Sequence, residues 1–136
     1  MKKFLLYMLS MVMLGSLLTG CSLEKQDTEK IKDLDFTVVE EEKVPEELKK
    51  VIDEKKQNEF KVTFTDQNYL YIVVGYGEQK TGGYSISVNE LYLTDNAVYI
   101  DTNLIGPTKG ETTVEAPSYP YVVVKLEQRE ETVVFQ

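Results

Sequence analysis

The run Tyr69-Leu-Tyr-Ile-Val-Val74 constrains the fold more than any other stretch of this chain. Six consecutive apolar or aromatic residues are too few for a typical helix, and turn-forming residues precede the run at Asp66-Gln67-Asn68. A strand without polar alternation is typical of the centre of a sheet that is covered on both faces. The sequence therefore predicts a layered domain built around this strand.

Other segments alternate between apolar and polar residues, as half-buried strands do. A register break is expected near Glu90, and a connection with prolines and glycines is expected from Ile105 to Pro120. In the short N-terminal strand, the apolar residues Leu34, Phe36 and Val38 would share one face. The predicted strands are Leu34–Val38, Phe60–Thr65, Tyr69–Val74, Tyr84–Leu93, Val98–Leu104, Tyr121–Leu126 and an edge strand at Thr132–Phe135.

One helix is predicted from Pro45 to Lys56. Proline is tolerated in a first helical turn, and acidic residues follow it at the favourable end of the helix dipole. Leu48, Val51 and Ile52 form one apolar stripe that should pack on a sheet. The expected fold class is α+β, with one helix packed on a mainly antiparallel sheet of about five to six strands.

The N-terminus resembles the export signal of a bacterial lipoprotein. Lys2 and Lys3 precede an apolar run of about 15 residues, which is shorter than the roughly 20 that span a bilayer. Leu18-Thr19-Gly20-Cys21 resembles a lipobox, whose cysteine carries the lipid. An uncleaved anchor with a chance cysteine is the alternative interpretation.

Three regions follow from this interpretation: a signal peptide at 1–20, a lipidated Cys21 with a flexible tether over 21–33, and a single domain over 34–136. Cys21 is the only cysteine, so no disulfide can form within the chain. Acyl chains such as palmitate would hold the protein on the extracytoplasmic face of the cell membrane, or on the outer membrane of a diderm envelope.

The composition argues against nucleic acid as a partner. The formal net charge of −8 falls to −10 when the two leader lysines are removed. Such a chain repels phosphate backbones and anionic lipid headgroups. The expected contact with the membrane is therefore made by the acyl chains rather than by the protein surface.

Catalytic chemistry finds little support in the residue types. The chain has no histidine, so a Ser-His-Asp or Cys-His nucleophile cannot be assembled. No Ser-x-x-Lys spacing on a helix and no calcium-binding loop occurs, and the run Glu40 to Glu42 is interpreted as a solvated strand end. We expect no enzyme activity, no cofactor and no metal, although acids that converge in space are invisible to spacing.

The glycine pair Gly82-Gly83 precedes the alternating strand that begins at Tyr84. No helix follows these glycines, which excludes a phosphate-binding loop. The favoured interpretation is a pair that supplies positive φ values or a bulge, and a ligand role is the alternative. Eight tyrosines fall in the sheet half, and we expect some of them to face a partner.

Three stretches then resemble the C-terminal domain of the PrcB family: Tyr71-Ile-Val-Val-Gly-Tyr-Gly77, Lys80-Thr-Gly-Gly-Tyr-Ser-Ile86 and Tyr119-Pro-Tyr-Val-Val-Val-Lys-Leu126. The similarity runs from about Phe60 to Leu126. The family is named for a lipoprotein subunit of a spirochaete surface protease complex. The resemblance implies a small exported module that stabilises or assembles a protease without cleaving peptides.

The combined expectation is a non-catalytic binding or accessory module with an exported protease or another envelope protein as its partner. Its contact surface is expected at Lys80, Thr81, Gly82, Gly83 and Tyr84, together with Pro120 and Tyr121. Both segments begin strands, so an antiparallel sheet can place them at one end. The alternative is an independent lipoprotein, either structural or binding cell-wall peptide or glycan in a tyrosine-lined groove.

Overall fold

The computed structural model describes residues 29–136. The signal peptide predicted at 1–20, Cys21 and the tether as far as residue 28 lie outside the described residues, so lipidation and the tether stay predictions. Within residues 29–136 there is no helix long and apolar enough to cross a membrane.

One α-helix, one short 3₁₀ helix and eight strands make up the described chain. In chain order they are β1 Lys32–Asp33, β2 Thr37–Val38, the 3₁₀ helix Glu41–Lys43, α1 Glu46–Lys55, β3 Glu59–Asp66, β4 Tyr69–Tyr76, β5 Ser85–Leu93, β6 Ala97–Ile105, β7 Tyr121–Glu127 and β8 Thr132–Phe135.

The strands form two sheets of four rather than the single sheet expected. Sheet I has the order β1-β5-β6-β8, and sheet II has the order β2-β7-β4-β3. The expectation of one sheet with five to six strands is therefore wrong, while a mainly antiparallel β structure with one helix is confirmed. The strand period shows which residues face inward, but it carries no information on which sheet a strand joins.

The two sheets pack face to face over one apolar core. Its buried residues come from both sheets: Leu70, Ile72 and Val74 of β4, Val122, Val124 and Leu126 of β7, and Leu91, Val98 and Ile100 of sheet I. Burying side chains of this size contributes about 1.5–3 kcal/mol each. A hydrogen bond of 2.6 Å between the Tyr76 and Thr102 hydroxyls links the two sheets beside this core.

The helix covers the opposite face of sheet II. Leu48 and Ile52 are each 1% exposed and pack, with Val44, against Tyr71, Val73 and Val123. Val51 of the predicted stripe is only half-buried. The helix begins at Glu46 with Pro45 at the preceding cap position, close to the predicted bounds. β4 is thus covered on both faces, as its apolar run predicts.

The predicted strand Leu34–Val38 is wrong. Two short strands replace it: β1 pairs with β5 in sheet I, and β2 pairs with β7 in sheet II. The chain crosses between the sheets at Leu34 to Phe36. Lys32 and Asp33, which the sequence reading assigned to the tether, therefore belong to sheet I. Phe36 and Val38, which were expected to share a face with Leu34, are 37% and 56% exposed.

Two further strand predictions can be judged from the pairing. The register break expected near Glu90 is confirmed as a shift between Val88 and Glu90 in the β5–β6 ladder. β8 has the predicted bounds and lies at the edge of sheet I. It pairs with β6 in parallel, which the sequence pattern does not indicate.

Candidate functional site

Two connections lie side by side at one end of the sandwich. We call them the loop pair: residues 77–84, which join β4 to β5, and residues 106–120, which join β6 to β7. They meet because β4 ends where its antiparallel neighbour β7 begins. Tyr76 N–H donates to Pro120 O at 3.0 Å, directly beyond the last paired residues of the two strands.

Backbone hydrogen bonds join the two loops to each other. Gln79 and Ser118 exchange both of their N–H···O bonds, at 2.8 and 3.0 Å, as an isolated antiparallel bridge. The Ser118 hydroxyl donates to Thr81 O at 2.7 Å, and Gly82 N–H donates to Val114 O at 3.0 Å. These bonds fix the position of the glycine pair relative to the long loop.

The positive φ predicted for the glycine pair is confirmed at one of the two positions. Gly83 has φ +89°, a left-handed conformation that favours glycine, whereas Gly82 does not have positive φ. A Cβ on Gly83 would lie 3.1 Å from both Pro107 Cβ and Thr113 Cγ2. The turn into β5 therefore uses Gly83 both for its φ and for its lack of a side chain.

Apolar side chains stand exposed around this turn. Val114 is 70% exposed and Ile105 is 45% exposed, among the most exposed large apolar side chains of the described residues. Val114 lies directly beside Gly82, since a Cβ on that glycine would be 3.6 Å from Val114 Cβ. Lys80 is also exposed, so this part of the loop pair offers apolar surface next to one positive charge.

Two tyrosines mark the other side of the loop pair, towards helix α1. The Tyr119 hydroxyl donates to Glu78 Oε1 at 3.1 Å, and this bond is the main cause of a raised Tyr119 pKa. Burial is the main cause of the raised pKa of Tyr121, with the carboxylates of Glu41 and Asp53 adding to it. Carboxylates therefore lie near both phenols, while Lys56 Nζ lies 5.9 Å from the centroid of the Tyr119 ring.

The sequence-predicted residues divide between these two sides. Lys80, Thr81, Gly82 and Gly83 lie at the turn, and the Tyr84 ring packs near Gly106. Pro120 immediately precedes β7, and Tyr121, its first residue, packs on the helix side of sheet II. The bonds that join the two segments run through Gln79, Ser118 and Val114, which sequence reasoning did not place in the site. The sequence indicates this contact between the loops only through the positions where the two strands begin. Pairing between two loops leaves no periodic pattern in the sequence.

Metal binding has no support in the geometry of the described residues. Across residues 29–136, no three His, Cys, Asp or Glu side chains converge as metal ligands would. The polar groups of the loop pair are mainly backbone amides and carbonyls already bonded to each other. What the loop pair offers chemically is a shaped surface with apolar, aromatic and charged parts.

Residues 70–127 match the model of the PrcB C-terminal family. This segment of the chain is therefore similar to the PrcB C-terminal family. The matched segment runs from β4 to β7 and includes the whole loop pair, while β3, α1 and β8 lie outside it. No curated protein and no solved structure gave a match.

Three glycines of the loop pair form a matched series for stability. Gly83→Ala should lower the free energy of unfolding by about 1–3 kcal/mol, through its positive φ and the two close contacts. Gly110 has φ +87° with no heavy atom within 4 Å of an added Cβ, so Gly110→Ala should cost only about 1–2 kcal/mol. Gly82→Ala should change stability by less than about 0.5 kcal/mol.

Urea unfolding of the three variants measures this order. Equal stability of Gly83→Ala and Gly82→Ala would contradict the assigned backbone role of Gly83.

The Tyr119 pKa should respond to the Glu78 carboxylate, because the hydrogen bond to Glu78 is the main cause of its raised value. Glu78→Gln should lower it towards the ordinary tyrosine value of about 10, because a neutral amide is a weaker acceptor than a carboxylate. The folded-state pKa is the higher one, so this contact contributes its stability below about pH 10 and loses it as pH rises through the folded-state pKa. Titration of the tyrosine ¹³Cζ shifts measures the change, and the Tyr121 pKa serves as the internal control. A Tyr119 curve that stays in place would disprove the assignment.

Proposed function

We propose that this protein is a membrane-tethered, extracytoplasmic accessory module that binds an exported envelope protein, with a secreted protease as the first candidate. In this proposal the acyl chains on Cys21 hold the molecule at the membrane, and the loop pair contacts the partner. The module contributes binding and no catalysis. The family match supports the direction of the proposal, because it suggests association with a PrcB-type protease complex component.

The exposed Val114 side chain is the observation that carries the proposal. Val114 is 70% exposed, although its apolar side chain gains nothing from contact with water. Its backbone carbonyl accepts a hydrogen bond from Gly82 N–H. Apolar groups presented on a backbone that is already ordered lose little entropy on binding. Contiguous apolar patches rimmed by polar residues are typical of protein interaction sites.

A binding role also fits the side chains that are available. The chain has no histidine, and the hydroxyl of Ser118 at the loop pair donates to Thr81 O at 2.7 Å. Ser87 on β5 donates to Asn89 Oδ1, within a surface group of polar side chains. These two hydroxyls donate to a carbonyl oxygen and an amide oxygen, neither of which is the general base that activates a serine nucleophile.

Site-specific crosslinking tests the surface. A photoreactive amino acid at Val114 should capture an envelope protein in intact cells, whereas one at Lys50, exposed on helix α1, should not. Val114→Ser should weaken capture about tenfold, as expected for the loss of an apolar anchor worth about 1.4 kcal/mol. Its melting temperature should not change, because the side chain packs little.

Two outcomes of the crosslinking experiment would contradict the proposed function. Equal capture at Val114 and Lys50 would show that the loop pair has no special role. Capture of cell-wall glycan or peptide in place of a protein would favour an independent ligand-binding lipoprotein.

Labelling with an alkyne analogue of palmitate tests the anchor. The natural chain should incorporate the label, and Cys21→Ser should lose it completely, because Cys21 is the only cysteine that an acyl transferase can modify. No disulfide is removed by this change, so folding is unaffected. Label retained in the variant would overturn lipidation at this position.

A further inference from the structure

Strand β7 has an outer edge that β2 covers only in part. β2 pairs with Lys125 and Val124, and Val39 N–H then donates to Val123 O at 2.8 Å. The chain turns away at Glu40, whose carbonyl accepts from Lys43 N–H at 2.9 Å as the 3₁₀ helix begins. In residues 29–136, no strand lies beside Tyr121 on this side.

The backbone of Tyr121 points to this uncovered edge. Successive residues of an antiparallel strand direct their N–H and C=O groups to opposite sides. The carbonyl of Pro120 accepts from Tyr76 and so points to β4, while that of Val123 points to β2. The N–H and C=O groups of Tyr121 point to the same side as those of Val123. No backbone group of residues 29–136 forms a hydrogen bond with them on that side. A free N–H and C=O on a sheet edge form a template for an added strand.

A groove of about 330 Å³ runs along this edge. Its apolar lining includes Val39, Tyr119 and Val38, which is 56% exposed. The acid Glu41 lies at its helix side. Side chains of an added strand would alternate between the two faces of sheet II, so one set would contact Val38 and the other would lie next to Tyr121 and Glu41.

The charge around Tyr121 determines which side chains of an added strand can lie next to Tyr121 and Glu41. Burial first, and then the charges of Glu41 and Asp53, raise the Tyr121 pKa, so both carboxylates act on this position. Asp53 is paired with Lys56 at 3.4 Å, whereas Glu41 belongs to the run Glu40 to Glu42, which Lys43 follows. At the other end, Glu78 is bonded to Tyr119, and Lys56 Nζ lies 5.9 Å from the Tyr119 ring centroid, so three carboxylates (Glu41, Asp53 and Glu78) stand against one ammonium group. The edge therefore favours a basic side chain over an acidic one.

We propose that an extended segment of the partner protein adds to sheet II as a short strand beside Tyr121, with a basic side chain next to Glu41 and apolar neighbours against Val38. This mode of binding deepens the proposed function and rests on it. Main-chain bonds to Tyr121 would supply affinity for any extended chain, and the alternation of basic and apolar side chains would supply specificity.

The full-length protein with ¹⁵N-labelled tyrosine, held in detergent micelles, provides the test. The probe is the peptide acetyl-Val-Lys-Val-Lys-Val-amide at millimolar concentration. It should shift the Tyr121 amide signal and slow its hydrogen exchange at least tenfold. The same peptide with N-methyl groups on both lysine backbone nitrogens should do neither, and acetyl-Val-Glu-Val-Glu-Val-amide should also fail.

Two charge reversals form the matched control. Glu41→Lys should raise the Kd of the lysine peptide at least fivefold. Glu130→Lys, an exposed position between β7 and β8, should leave the Kd unchanged. Both residues are exposed, so neither change should disturb folding.

Several outcomes would overturn strand addition. Equal binding of the N-methylated peptide would show that the backbone of Tyr121 is not used, and equal binding of the acidic peptide would remove the charge preference. No response of the Tyr121 amide to the lysine peptide would also reject the proposal. Protection of this amide without peptide, increasing with protein concentration, would assign the edge to a second copy of the chain.

The two proposals fail separately. Capture of a partner at Val114 without any response of the Tyr121 amide to the lysine peptide keeps the accessory function and rejects strand addition. Protection of the Tyr121 amide by the lysine peptide without capture at Val114 keeps strand addition and rejects the accessory function.

Discussion

The pairing of β4 with β7 is the interaction on which the other layers depend. Seven residue pairs, from Tyr69 with Glu127 to Gly75 with Tyr121, hold two apolar strands at the centre of sheet II. Their inner side chains form the core with sheet I, and their outer side chains receive helix α1. Because the pairing fixes both faces at once, a slip by one residue would exchange the surfaces offered to the two layers.

The same pairing determines where the loop pair lies. The ladder continues past the strand ends through Tyr76 and Pro120 to the bridge between Gln79 and Ser118. Loops held in this way present side chains such as Val114 in a fixed position. The PrcB C-terminal match runs from β4 to β7 and so contains both the central pairing and these loops. Helix α1 and β3 cover this unit from outside the matched segment.

The sequence was most informative where one physical requirement dominates. A continuous apolar run permits little besides a doubly covered strand, so β4 and its central position could be predicted. Gly83 could be predicted because few other residues adopt its φ, and the Glu90 register break because alternation fails there. The split of 34–38 between two sheets could not be predicted, because each strand has only two residues and no period. Val114 has no signal of its own, since exposure depends on how the loop folds.

The acidic run Glu40 to Glu42 gains a physical role from the place where β2 stops. An open edge with a free backbone and exposed apolar side chains such as Val38 is a risk, because a second copy of the same edge could pair with it. Two copies of this chain would place their acidic runs close together, and like charges oppose that approach. A basic extended segment has no such barrier. The charges that oppose pairing of the edge with a second copy are therefore the ones that would favour a basic partner segment.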